Sequence, residues 1–220
     1  MYRRFQNERT VRAEFACGIM VIMLVIISLF TYPQSIQAKS NNAQIKKLVG
    51  KMESYEYKLL SDGKNKVKLT KTEMTKAAAL SIERNNKNQI KVAEFGEDDI
   101  YKISNKKLKA AGKNLFGITI SSKNLPTTFQ KDSLSDAYRK KNGTAVVSIA
   151  NIETETDYVV HSIKITKKSG NTYRVKKNLY YGYWGSNNGQ SNYQIVYQVK
   201  PSSKSVYGYK ITMMKITAME

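Results

Sequence analysis

The stretch Tyr173–Tyr181, YRVKKNLYY, sets Tyr173, Val175, Leu179 and Tyr181 at alternate positions, and only Lys177 interrupts that apolar parity. Successive side chains of a strand point to opposite faces, so a period of two with one apolar face marks a sheet covered on one side. The pattern extends both ways. Upstream, Val159, His161, Ile163 and Ile165 alternate through Tyr158–Thr166, and Lys168-Ser169-Gly170-Asn171 supplies turn residues between the two runs. Downstream, beyond Ser186-Asn187-Asn188-Gly189, the series returns as Tyr193, Ile195, Tyr197 and Val199. Pro201-Ser202-Ser203 turns the chain, and Tyr207, Tyr209, Ile211 and Met213 follow. The apolar parity then passes to Met214, Ile216 and Ala218, which predicts a bulge near Met213 or a strand buried on both faces. With Thr144–Ala150 (TAVVSIA) added, the spacing predicts a twisted antiparallel meander of about five strands.

Residues 40–141 read as helices and loops. Ile45, Leu48, Val49, Met52, Tyr55 and Leu59 recur at three to four residues, predicting a helix over Ala43–Leu60 that Ser61-Asp62-Gly63 stops. Thr70-Lys71-Thr72-Glu73 has the form of a capping box and starts a second helix through Met74, Ala77, Ala78 and Ile82. A third, Asn105–Leu115, has Ser104 as N-cap and ends before Gly117. A fourth is expected over Leu134–Lys141, closed by Asn142-Gly143. Helices followed by strands give an α+β class, with the N-terminal helices packed on one face of the C-terminal sheet.

That order of elements, over about residues 44–217, resembles the cone-shaped sheet of cystatin-like and nuclear-transport-factor-like folds. The segment Ser205–Ile211 (SVYGYKI) is similar to tails of uncharacterised exported proteins from Gram-positive bacteria. The resemblance implies helices wrapped by the sheet. It also raises a second functional expectation, a small-molecule pocket with isomerase- or dehydratase-like chemistry.

The N-terminus points to a compartment. Arg3, Arg4, Arg9 and Arg12 precede an uncharged run, Phe15–Tyr32, of 18 residues. A basic flank before an apolar helix is the signature of an export signal. Ser35-Ile36-Gln37-Ala38 offers a cut ahead of Lys39, while a run close to the roughly 20 residues of a membrane span leaves an uncleaved anchor as the alternative. Residues 1–38 are therefore expected to be a signal peptide or membrane anchor, and 39–220 a single extracytoplasmic domain. The chain carries a net charge of +20, and its one cysteine, Cys17, lies in the leader. An exported domain without disulfides and rich in lysine fits the envelope of a Gram-positive bacterium better than an animal secretion.

Composition excludes much chemistry. A domain without cysteine has no thiol nucleophile and, with one histidine, no usual structural zinc site. Neither a phosphate-binding GxxxxGK[ST] loop nor a GxGxxG turn occurs, and no cofactor or metal is expected. His161 is the weak catalytic candidate: its parity places it on the inner face, where it would act as a base beside Tyr173, Tyr193 or Tyr197. Glu97-Asp98-Asp99 and Glu153, Glu155, Asp157 supply oxygen ligands without a calcium-loop glycine, so they read as solvated charge. Tyr180, Tyr181, Tyr183 and Trp184 cluster beside a Gly/Asn-rich loop and could stack on sugar rings. The leading expectation is a non-catalytic envelope binding domain. Its ligand would be a cell-wall polymer, a glycan or an anionic membrane surface; export removes chromosomal nucleic acid as a partner.

Overall fold

A computed structural model describes residues 34–64, 67–83, 91–95, 98–128, 135–150, 156–183 and 192–219. Contacts divide the chain into Met1–Asn42 and Ala43–Glu220. In the first unit residues 34–42 are helical; the second carries the remaining elements. The expected leader lies outside the described residues up to residue 33, and its last five residues, 34–38, belong to the first helix. Among the described residues no helix is long and apolar enough to cross a membrane.

The described α-helices are α1 (Gln34–Gly50), α2 (Glu53–Ser61), α3 (Lys71–Glu83) and α4 (Asn105–Phe116). The strands are β1 (Lys91–Phe95), β2 (Asp98–Ile103), β3 (Ser135–Arg139), β4 (Ala145–Ala150), β5 (Thr156–Lys167), β6 (Tyr173–Tyr183), β7 (Tyr193–Pro201) and β8 (Tyr209–Ala218). The class is α+β, as expected. The strands, however, form two four-stranded antiparallel sheets, ordered β1-β2-β4-β3 and β5-β6-β7-β8. The five-strand meander is thus corrected to four strands, because TAVVSIA pairs with β2 and β3 instead. Ala145, Val146, Val147 and Ser148 are all buried, so β4 is covered on both faces. That explains its continuous apolar run where β6 alternates.

The expected helix over Leu134–Lys141 is likewise corrected: Ser135–Arg139 form a strand, β3. SDAYR has no strong strand preference of its own. Asp136 is fully buried and accepts from Lys76 at 2.9 Å, with Lys58 at 3.6 Å, and that tertiary contact overrides local propensity. The single helix expected over Ala43–Leu60 is two. After Gly50 the backbone tightens, with Lys51 N–H donating to Leu48 O and Met52 N–H to Val49 O, and α2 restarts at Glu53. Glycine is a poor interior helix residue, which makes it the natural place to break.

Where capping is local, the reading holds. Ser104 accepts from the Lys107 amide at 3.3 Å, and α4 ends at Gly117 with φ of 69°, a left-handed cap that glycine adopts without strain. At α3 only half of the capping box forms: Thr70 Oγ1 accepts from the Glu73 amide at 3.2 Å, while the Glu73 carboxylate takes the Tyr55 hydroxyl. The anticipated bulge lies at Thr212, where Gln198 pairs with Met213 and Val199 with Ile211.

The core sits between the layers. α3 packs on β2, β3 and β4, and α4 packs on α3 and β8. Between them Ile45, Leu48, Met52, Tyr55 and Leu59 meet Val175, Leu179, Ile195, Tyr197 and Val199 in one cluster. The helix α2 is buried nearly all round, with Tyr55, Glu56, Lys58, Leu59 and Leu60 shielded.

Candidate functional site

Side chains of α2 reach the second sheet: Glu56 meets β6 and β7, and Tyr57 meets β5. Lys177, the residue that broke the apolar parity of β6, points inward with the others and is 2 % exposed. Its ammonium donates to the Glu56 carboxylate on α2, whose other oxygen accepts the Tyr197 hydroxyl. All three groups are buried. Burial pushes the Glu56 carboxyl above its ordinary value, against the opposing effect of Lys177 and of the hydrogen bonds it receives from Lys177 and Tyr197. Burial, then the Glu56 charge, hold the Tyr197 hydroxyl well above the usual phenol range. Toward the first sheet α2 offers the opposite charge: Lys58 donates to Asp62 at 3.0 Å and meets Asp136 on β3. One short helix therefore joins both sheets by buried ion pairs, a costly arrangement unless each charge keeps its partner.

His161 does not lie on that inner face. Val160 pairs with Leu179 and Ser162 with Asn178, so His161 is the extra residue of a bulge in β5, and it is exposed. Simple parity fails at a bulge because two residues oppose one. His161 lines neither of the cavities described below, and of its expected companions Tyr173 and Tyr197 are buried in the core.

The aromatic segment divides. Tyr181 is 47 % exposed and its ring stands 4.7 Å from that of Tyr158, its register partner. Tyr158 also meets Tyr57 of α2 at 5.8 Å and Tyr193 at 5.7 Å, and Tyr57 donates its hydroxyl to the Tyr158 carbonyl at 2.7 Å. Tyr180 points to the other face, where its ring covers Gly182; a Cβ there would sit 2.2 Å from the ring. Tyr183 ends β6. Trp184, with the side chain of Tyr183, lies outside the described residues, as do Glu97, Glu153 and Glu155. Among the described residues no group of acids, His or Cys is arranged to hold a metal ion.

The outer face of this sheet was not singled out in the sequence, and its charge is one-sided. From Tyr158 to Met219 the chain has ten Lys and Arg and no Asp or Glu. Asp157, at the start of β5, is the sole acid of the four strands. Lys177 is spent inward. Arg174, Lys200 and Lys215, exposed, line a groove of about 600 Å³ with Lys168, Gln194, Gln198 and Thr217. None of these cations makes an ion pair among the described residues. A face with one sign of charge and no local compensation raises the concentration of counter-ions above it. The signal that could have revealed it is the long acid-free run together with strand parity.

A smaller cavity of about 230 Å³ lies between α3, α4 and the β7–β8 turn, bordered by Lys51, Lys107, Asn114 and Tyr207. Ser205 there donates to the Asn114 carbonyl at 2.6 Å, pinning the turn to α4.

No family model matches the chain, and no curated protein or solved structure matches it.

Proposed function

We propose that this chain is an extracytoplasmic, non-catalytic binding domain of the bacterial cell envelope, and that the outer face of β5–β8 holds an anionic wall polymer. The observation that carries the reading is the acid-free basic groove itself, lined by Arg174, Lys200 and Lys215 beside amide and hydroxyl groups. Lysine suits this role: it is a hydrated point charge that tolerates varied ligand geometry, whereas base reading favours arginine, and only Arg139 and Arg174 occur beyond residue 84. The arginine-flanked apolar run, Phe15–Tyr32, supplies the compartment in which such a polymer is met. The pocket-enzyme alternative has less support, since Tyr173 and Tyr197 belong to a buried core cluster and His161 is exposed on an edge strand.

The test is retention of the full chain on immobilised poly(glycerol phosphate), with neutral dextran as control, across a salt series. Retention on the anionic matrix alone is expected, weakening steeply as the Debye length falls from about 30 Å at 0.01 M to about 8 Å at physiological strength. Equal behaviour on both matrices, or no retention at low salt, would overturn the proposal.

A further inference from the structure

We infer that the polymer crosses the strands instead of running along them, and that its class is a linear chain with one phosphodiester per repeat. This rests on the reading of the outer face given above and adds the path and spacing of the ligand. Register fixes the path. Lys164 of β5 faces Lys176 of β6, Lys176 faces Val196 of β7, and Val196 faces Lys215 of β8. The three lysines thus form a row perpendicular to the strands and spanning the sheet. At about 4.8 Å per strand the row is roughly 14 Å long, with backbone spacings of roughly 5 and 10 Å.

Two features make the row more than a solvated surface. Like charges directly opposite on neighbouring strands destabilise a sheet. Lys164 and Lys176 are such a pair, with no described acid to relieve them. Val196, which stands between Lys176 and Lys215 in register and shares their outward parity, is buried to 6 %.

The next rung gives the row a neutral border. Asn178 donates to Ser162 at 3.1 Å, and Gln194 donates to Asn178 at 3.0 Å, a side-chain ladder parallel to the lysines. Asp157, the one acid in the sequence of these strands, pairs in register with Gly182, three rungs from Lys176 along β6. Charges spread over roughly 14 Å match a linear repeat better than a compact anion, which would be met by converging cations.

The experiment measures binding of glycerol phosphate oligomers of one to six repeats to the full chain at low salt, with melting temperatures recorded alongside. K164Q, K176Q and K215Q are each expected to weaken the long oligomer about fivefold. The charge-matched off-row changes K123Q and K204Q should weaken it less than twofold. Affinity should climb steeply until the oligomer spans the row and only slightly thereafter. Equal losses for on-row and off-row changes would overturn the path, since they would show attraction by overall charge with no preferred row. A larger loss for K200Q than for K164Q would also overturn it, by placing the polymer along β7. Absence of wild-type binding at every length would instead remove the binding reading itself. Because Lys164 and Lys215 are exposed, unchanged melting of their variants separates a binding loss from misfolding.

Discussion

Lys176 and Lys177 follow one another in β6, yet the pleat sends them to opposite faces of one sheet, and the two faces treat a cation differently. Inward, Lys177 is sealed from water and matched to Glu56, with Tyr197 completing the carboxylate's hydrogen bonds. Outward, Lys176 faces Lys164 across the strand with no acid near in register. The first arrangement is what burial demands of any charge. The second is one that folding alone would not select, since facing cations oppose strand pairing. The contrast teaches where to look for function: at the charge whose environment the fold does not explain.

The largest effect should come from breaking the inner pair. Glu56→Leu leaves Lys177 buried without a partner and is expected to cost about 3–5 kcal/mol in urea unfolding. Adding Lys177→Met should restore most of that loss, because two apolar groups of similar volume replace a desolvated pair. A single Glu56→Leu as stable as the parent would mean that Lys177 reaches water.

Next in size is Tyr197→Phe, which removes one hydrogen bond from a buried carboxylate and should cost about 1–3 kcal/mol near neutral pH. Its pH dependence has a definite sign. The Tyr197 hydroxyl is held above the ordinary value of 10.0 in the fold by burial and by Glu56, so the unfolded chain ionises first. The stability tied to that hydroxyl is complete below pH 10 and declines as pH rises beyond it. The gap between parent and Tyr197→Phe melting temperatures should therefore narrow above pH 10; a constant gap to pH 11 would contradict the buried assignment.

A smaller effect is expected at the aromatic edge. Tyr181→Ala loses a half-exposed ring and its contact with Tyr158, about 1 kcal/mol, measurable by thermal unfolding. A cost like that of a core aromatic would show that this edge is covered. The smallest effect is Lys176→Gln, which relieves a facing like charge and should leave stability unchanged or raise it by about 0.2–1 kcal/mol, even as polymer binding falls. Clear destabilisation would mean that Lys176 serves the fold, and the contrast with Lys177 would dissolve.

By itself the sequence determined what depends on neighbours in the chain. The strands β5 to β8, the turn at Ser169–Asn171, the bulge in β8 and the caps of α4 were all legible, because alternation, turn chemistry and capping act within a few residues. Only the tertiary structure decided which sheet TAVVSIA would join, since strand pairing is set by non-local contacts. Only it made Ser135–Arg139 a strand, through the hold of Lys58 and Lys76 on Asp136. His161 is itself the extra residue of the bulge in β5 and is exposed, and no period-two count reveals where such a residue falls. Lys177 stood in the sequence as an interruption; only packing supplied Glu56, 121 residues away.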